Sequence, residues 1–120
     1  MKKKCPIEYT LSIISGKWKI LILKELSSGP LRYGELIKSL TAISSKVLVD
    51  QLRELEKDGI INREIFPEVP PRVEYSLTER GSSIFIIFVE MRKWGLDNSS
   101  SDEVECNFCK KCIPYINTLK

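Results

Sequence analysis

The stretch ISSKVLVDQLRELEKDGIINREIFPEVPPRVEYSLTERG, from Ile43 to Gly81, decides the fold. Leu48, Leu52 and Leu55 recur at helical spacing and mark a buried stripe. Ser44 stands where a short hydroxyl accepts the unpaired amide hydrogens of a first turn. Gly59 suits the left-handed residue that ends a helix. Beyond it, Ile61, Arg63 and Ile65 alternate with Asn62, Glu64 and Phe66, and Val73, Tyr75 and Leu77 alternate with Glu74 and Ser76, which predicts two strands. Pro67, Pro70 and Pro71 cannot donate ladder hydrogen bonds and confine the turn to residues 67–72. A second helix opens at Thr78.

Helix, hairpin and helix in this order, with Arg72 at the hairpin tip, imply a winged helix-turn-helix, a fold that lays one helix in a DNA groove. The fold class expected is mainly α with a small β-hairpin (α+β), flanked by dimerisation helices. Recognition helices read bases with their N-terminal residues. Ser44 and Ser45, Lys46, Val49, Asp50 and Arg53 are therefore the candidate DNA contacts, on or beside the face opposite the leucines. An ordinary solvated charged face is the bland alternative for that surface. Arg72 is a candidate for phosphate or for a narrow minor groove; its bland alternative is a surface arginine paired with Glu68 or Glu74.

Upstream, Pro6 at a first helical position opens a helix that runs to about Ile14, with Ser15-Gly16 as its stop. Lys17 to Leu26 form a second helix in which Trp18, Ile20, Leu21, Leu23 and Leu26 are core. Ser27 to Pro30 turn the chain. Leu31 to Leu40 make the first helix of the helix-turn-helix, connected by Thr41-Ala42-Ile43. Lys17 and Arg32, near helix starts, are second-tier backbone contacts. Downstream, Thr78 caps one long helix from about Glu79 to Trp94. Its apolar face of Ile84, Phe85, Phe88 and Met91 is assigned to dimer contact in preference to core. Residues 1–95 form the winged helix-turn-helix domain. Residues 96–120 form a cysteine-containing tail that opens with a flexible linker, Asp97 to Ser101.

Five blocks of the chain resemble the HxlR-type family of bacterial and archaeal transcription regulators. They are Cys5-Pro6-Ile7-Glu8-Tyr9-Thr10-Leu11, Gly16-Lys17-Trp18-Lys19, GPLRYGEL from Gly29 to Leu36, LRELEKDG from Leu52 to Gly59, and VPPRVEYSLT from Val69 to Thr78. The resemblance covers roughly residues 5–95 in family order, and the tail departs from it. It implies a homodimer that binds double-stranded operator DNA; an inverted-repeat operator and a repressor's role are expected. It also implies that a cysteine in the position of Cys5 serves as a redox or electrophile sensor.

Composition agrees with this. A chain of 120 residues falls within the range of one domain. The net charge of +3 divides unevenly: residues 1–95 carry 16 Lys/Arg against 12 Asp/Glu, a balance of +4, and residues 96–120 carry 3 against 4, a balance of −1. The basic excess lies on the part suspected of touching DNA. Met1-Lys2-Lys3-Lys4 resembles the start of a signal peptide, but Glu8, Lys17 and Lys19 interrupt the apolar run that should follow. The longest apolar stretch, Ile84 to Val89, has six residues, against about 20 for a spanning helix. A cytoplasmic protein is expected, with no membrane partner.

The four cysteines need their own account, because structural disulfides are uncommon in the cytosol. Cys5 precedes Pro6 at a helix start and follows three lysines, so helix-end charge and cations favour its thiolate. Cys106, Cys109 and Cys112 stand in C-x2-C-x2-C spacing, and Lys110-Lys111 favour thiolate at Cys109 and Cys112. One reading is redox sensing, with Cys5 linked to a tail cysteine across a dimer. A second is zinc or an iron–sulfur cluster on Cys106, Cys109 and Cys112, which usually wants four ligands; with no histidine in the chain, the fourth would be Cys5, a carboxylate or a residue from a second subunit. A third is four incidental thiols. No cofactor is the primary expectation.

An enzyme is not expected. Without histidine the commonest general base and nucleophile pairs are missing. Gly29 and Gly34 are isolated and make no phosphate loop. The carboxylate pairs Glu54/Glu56 and Asp97/Asp102 sit in a charged helix and around a linker. A winged helix used only for protein contact is the remaining rival class.

Overall fold

The computed structural model describes residues 3–100 and Glu103. The order of elements is α1 (Pro6–Ile14), α2 (Lys17–Leu26), β1 (Leu31–Arg32), α3 (Tyr33–Ser39), α4 (Ser45–Lys57), β2 (Ile61–Phe66), β3 (Arg72–Leu77), α5 (Glu79–Ser83) and α6 (Phe85–Asp97). The sheet is antiparallel in the order β1-β3-β2. The hairpin register places Ile61 opposite Leu77, Arg63 opposite Tyr75 and Phe66 opposite Arg72. This is the α+β winged helix-turn-helix architecture that the central stretch implies.

α4 is terminated at both ends by local chemistry. The Val47 N–H donates to Ser44 Oγ at 3.2 Å, satisfying a first-turn donor. At the other end Gly59 takes φ 74°, the Ile60 N–H reaches Leu55 O at 2.9 Å and the Gly59 N–H reaches Glu56 O at 3.0 Å. These are the paired bonds of a Schellman stop. Between the caps, Leu48, Leu52 and Leu55 are buried against Ile22, Leu23 and Leu36 in one core. Fully burying a leucine contributes ~1.5–3 kcal/mol, so this stripe fixes which face of α4 is left outward.

Two elements differ from the sequence reading. Leu31 and Arg32 are not the start of a helix. They form a short strand with Leu31 opposite Tyr75 and Arg32 opposite Glu74, because β3 offers a free edge there. The helix starts only at Tyr33, where the Arg32 N–H donates to Glu35 Oε1 at 2.9 Å. The turn into α4 then places Ala42 at φ 75°, a left-handed conformation that a methyl side chain tolerates poorly and a larger one would tolerate less.

The helix after Thr78 is also not continuous. Thr78 does cap its start, accepting from the Gly81 N–H at 2.9 Å, but α5 ends at Ser83 and Ile84 separates it from α6. The Ile84 N–H bonds to Gly81 O and the Ile87 N–H to Ile84 O, both three residues back. That tightened turn re-aims the second segment. The consequence is a correction to the apolar face. Ile84, Phe85 and Phe88 are buried in the chain's own core, with the two phenylalanine rings edge to face at 5.2 Å. Only Met91 of the predicted set is exposed, joined outward by Ile86 and Trp94. In α2, Leu23 and Leu26 are core as expected, Trp18, Ile20 and Leu21 pack only partly buried against it, and Ile22 is fully buried. Asp97 is the last residue of α6, and the Asn98 N–H and side-chain amide both bond to Trp94 O. The first residues of the expected linker are therefore a helix cap. No helix among the described residues is long and apolar enough to cross a membrane.

Candidate nucleic-acid interface

The leucine stripe of α4 turns Ser45, Lys46, Asp50 and Arg53 to solvent, with Val49 half-buried at the margin. Ser45, Val49 and Arg53 are spaced i, i+4, i+8 and lie along one side of the helix; Lys46 and Asp50 lie beside them. The face therefore offers two cationic side chains, a carboxylate and small or apolar groups, the mixture that base edges in a major groove are read with. Ser44 is also exposed, but its Oγ already accepts from Val47. Its hydroxyl serves the helix start first.

Lys17 and Arg32 are exposed as well. Lys17 lies 4.7 Å above the Trp18 ring and lines a cleft of about 220 Å³ with Trp18, Ser39 and Thr41. It therefore borders the turn between α3 and α4. Arg32 stands at the α3 start. Both are at the edges of the helix-turn-helix, apart from the α4 face.

For Arg72 the sequence leaves two placements open, the tip or the first residue of the return strand, and two roles, phosphate contact or pairing with Glu68 or Glu74. Arg72 is the first residue of β3, its Nη2 is 3.2 Å from Glu68 and its Nε 3.3 Å from Glu74. Its guanidinium also stacks 4.1 Å over the Phe66 ring. Both partners named as the bland alternative are present together. The reason is register: Phe66 is directly across the hairpin, and in the turn the Glu68 N–H bonds to Phe66 O at 2.8 Å, which leaves its carboxylate beside Arg72. A phosphate reaching Arg72 competes with two carboxylates.

Several residues position this surface through contacts that the sequence does not assign to them. Lys19 of the GKWK block is buried, 5% exposed, and its Nζ donates to Glu54 Oε1 at 3.4 Å, tying α2 to α4. Thr78 Oγ1 lies 2.6 Å from Gly59 O and 3.0 Å from Ile60 O. Arg80 Nε donates to Asp58 O at 3.0 Å and Nη2 to the Tyr9 hydroxyl at 2.7 Å, so one side chain joins α1 to the end of α4. Helical periodicity marks Lys19 on the core side among Ile22, Leu23 and Leu26, a signal readable as a buried cation. Nothing in the sequence marks the Arg80 link.

Cys5 is exposed and forms no disulfide among the described residues. It is the N-cap residue of α1, with Pro6 in the first turn. The backbone N–H groups of Glu8 and then Ile7 hold its thiol below the ordinary range, as expected where helix-end amides favour an anion. Cys106, Cys109 and Cys112, and with them the metal or cluster alternative, lie outside the described residues.

A capped helix with a polar outer face, a helix before it joined by a tight turn, and a hairpin beside it define a helix-turn-helix transcription regulator. Residues 13–103 match the family described as HxlR-like helix-turn-helix, and the chain belongs to that family. It is 46% identical over 103 residues to the uncharacterized HTH-type transcriptional regulator sll1512 of Synechocystis, covering 86% of this chain and 76% of that protein. Among solved structures it is similar to the redox regulator HypR in its oxidized form, with 44% identity and a TM-score of 0.73 over 80% of this chain and 99% of that one. It is also similar to the reduced form of the transcriptional regulator YodB from B. subtilis, with 38% identity and a TM-score of 0.70 over 77% and 91% of the two chains.

Proposed function

We propose that this regulator is a cytoplasmic homodimer that binds an inverted-repeat operator, acts as a repressor, and responds to oxidants or electrophiles through Cys5. The outward face of α4 carries the DNA reading: it is held by caps at both ends, packed by three leucines and left polar. Lys46 and Arg53 are assigned to bases or the flanking backbone, Asp50 to an amino group on a base edge, and Ser45 and Val49 to close approach. Lys17 and Arg32 meet the backbone beside the turn. Arg72 orders the wing tip and reaches phosphate only by releasing Glu68 or Glu74.

Dimerisation is supported by apolar surface that one chain leaves open. Ile7 and Leu11 of α1 and Ile86, Met91 and Trp94 of α6 are exposed, and a groove of about 320 Å³ runs between the two helices, lined by Pro6, Ile7, Leu11, Ile87 and Met91. A two-fold pairing over these helices sets two α4 faces on one duplex. Cys5 adjoins this groove through Pro6. Two cysteine thiols, one of them Cys5 and the other a tail cysteine, lose two protons and two electrons to a quinone, which leaves as hydroquinone, and an S–S bond forms. The likeness to redox regulators supports this reading.

A mobility-shift assay on fragments upstream of the gene tests the DNA reading. Tight binding by reduced protein is expected, with half-site centres ~34 Å apart or a multiple of that. Lys46→Ala should cost ~1–3 kcal/mol on the operator and little on unrelated DNA. Arg72→Ala should weaken all sequences by a smaller, uniform amount. An unchanged footprint with Lys46→Ala removes α4 from the reading role.

A further inference from the structure

A second cleft lies between α4 and the sheet, about 230 Å³ in volume, lined by Val49, Leu52, Arg53, Glu56, Arg63 and Tyr75. Its walls follow from geometry already described. Arg63 and Tyr75 are directly opposite in the hairpin, so their side chains share the face of the sheet that meets α4. Val49, Arg53 and Glu56 form one side of α4, spaced i, i+4, i+7. Two guanidiniums thus face one carboxylate.

The donors in this cleft are largely unspent. Arg63 Nε meets Glu56 only at 3.9 Å, and both side chains are more than 40% exposed, at 44% and 42%. Arg53 makes no ion pair or hydrogen bond among the described residues, and the half-buried Tyr75 hydroxyl makes no hydrogen bond among them. Burial holds the Tyr75 phenol above its ordinary range, so it stays protonated and is a donor. Val49 and Leu52 supply an apolar floor that lowers the local dielectric and strengthens charge-assisted bonds.

We infer that this cleft is an oxyanion seat, in which Arg53, Arg63 and the Tyr75 hydroxyl together take one phosphate-type oxyanion. The occupant favoured by position is a backbone phosphate of DNA, because Arg53 ends the stripe Ser45–Val49–Arg53 that faces the groove. That source rests on the DNA-binding reading; the seat itself does not. It moves Arg53 from base reading to the backbone, and it adds Arg63, on the wing, as its partner. A free oxyanion of the same chemistry is the other source.

The test uses the full chain under reducing conditions. Inorganic phosphate is titrated while guanidinium and backbone amide resonances of Arg53, Arg63 and Tyr75 are followed. In parallel, affinity for a mixed-sequence duplex is measured across salt concentrations. Arg63→Gln should weaken all duplexes alike and reduce the log–log salt slope by about 0.9, the value for one phosphate. Tyr75→Phe should weaken binding several-fold with the slope intact, and Arg63→Lys, which keeps charge without the fork, should keep the slope. Saturable phosphate shifts that Arg63→Gln abolishes, with an unchanged slope, assign the seat to a free oxyanion. If wild-type protein binds no DNA but shows those shifts, the DNA reading fails and the seat stands. Folded Arg63→Gln protein with neither a lost shift nor a changed slope overturns the seat.

Discussion

Lys19 and Glu54 illustrate how a single pair can set the position of a recognition helix. The Lys19 side chain is buried and that of Glu54 is 55% exposed, so the two ends of the bond have different alternatives. Removing the carboxylate leaves a cation in the core, whereas removing the cation leaves a carboxylate that water can solvate. Breaking a fully buried pair costs ~3–5 kcal/mol, and the exposure of Glu54 reduces that, so Glu54→Gln should cost about 1–2 kcal/mol by denaturant unfolding. Lys19→Met, which fills the same space without charge, should be close to neutral. Equal losses for both substitutions would mean that packing, rather than charge compensation, holds Lys19. The residue scale is also where the sequence was least legible. Helical spacing puts Lys19 on the core side, but nothing local names Glu54 as its partner, and for Arg72 the sequence leaves phosphate contact and pairing with Glu68 or Glu74 both open, because the position of Glu68 depends on a proline turn, not on any local period.

At the level of elements, α4 and the hairpin were legible because three signals agreed: leucines at helical spacing, a serine and a glycine at the ends, and alternation bounded by prolines. The α5–α6 break was not, since Ile84 to Val89 is apolar on every side and no periodicity within it marks a change of axis. A contact distant in sequence also fixes where α5 sits. Gly81 is packed against Ile60, and a Cβ placed there would lie 2.1 Å from the Ile60 carbonyl oxygen. That carbonyl also accepts from the Thr78 N–H at 3.1 Å, so it cannot withdraw without undoing the cap. Gly81→Ala is therefore expected to destabilise by about 3 kcal/mol or more, at the upper end for overpacking. Gly34→Ala provides the contrast. It lies inside α3 with nothing within 4 Å of the added carbon, and should be neutral or stabilise by up to ~1 kcal/mol. Thermal unfolding of the two variants checks both; a Gly81→Ala protein as stable as wild type would mean that α5 is free to shift against the α4 terminus.

For the whole molecule, the question is how a change at Cys5 reaches α4. One chain of contacts is available: the Tyr9 N–H bonds to Cys5 O at 2.9 Å, the Tyr9 hydroxyl accepts from Arg80, and Arg80 donates to Asp58 O at the end of α4. The first turn of α1 is thus tied to the last turn of the recognition helix. The chemistry at its origin is set by pH. Because helix-end amides lower the Cys5 thiol, the reactive thiolate persists below the ordinary thiol pKa of ~8.5 and is lost only as pH falls through the lowered folded value. Cys5 is fully exposed, so this governs reactivity and adds no stability worth counting. The rate of alkylation of Cys5 by iodoacetamide should therefore rise with pH with its midpoint below that of denatured protein, whose thiols titrate near ~8.5. Cys5→Ser should bind DNA as wild type does and keep binding after treatment with a quinone, whereas wild-type protein should release its operator. An oxidant response that survives Cys5→Ser would place the sensor among Cys106, Cys109 and Cys112 alone, and the Tyr9–Arg80–Asp58 connection would then have no part in it.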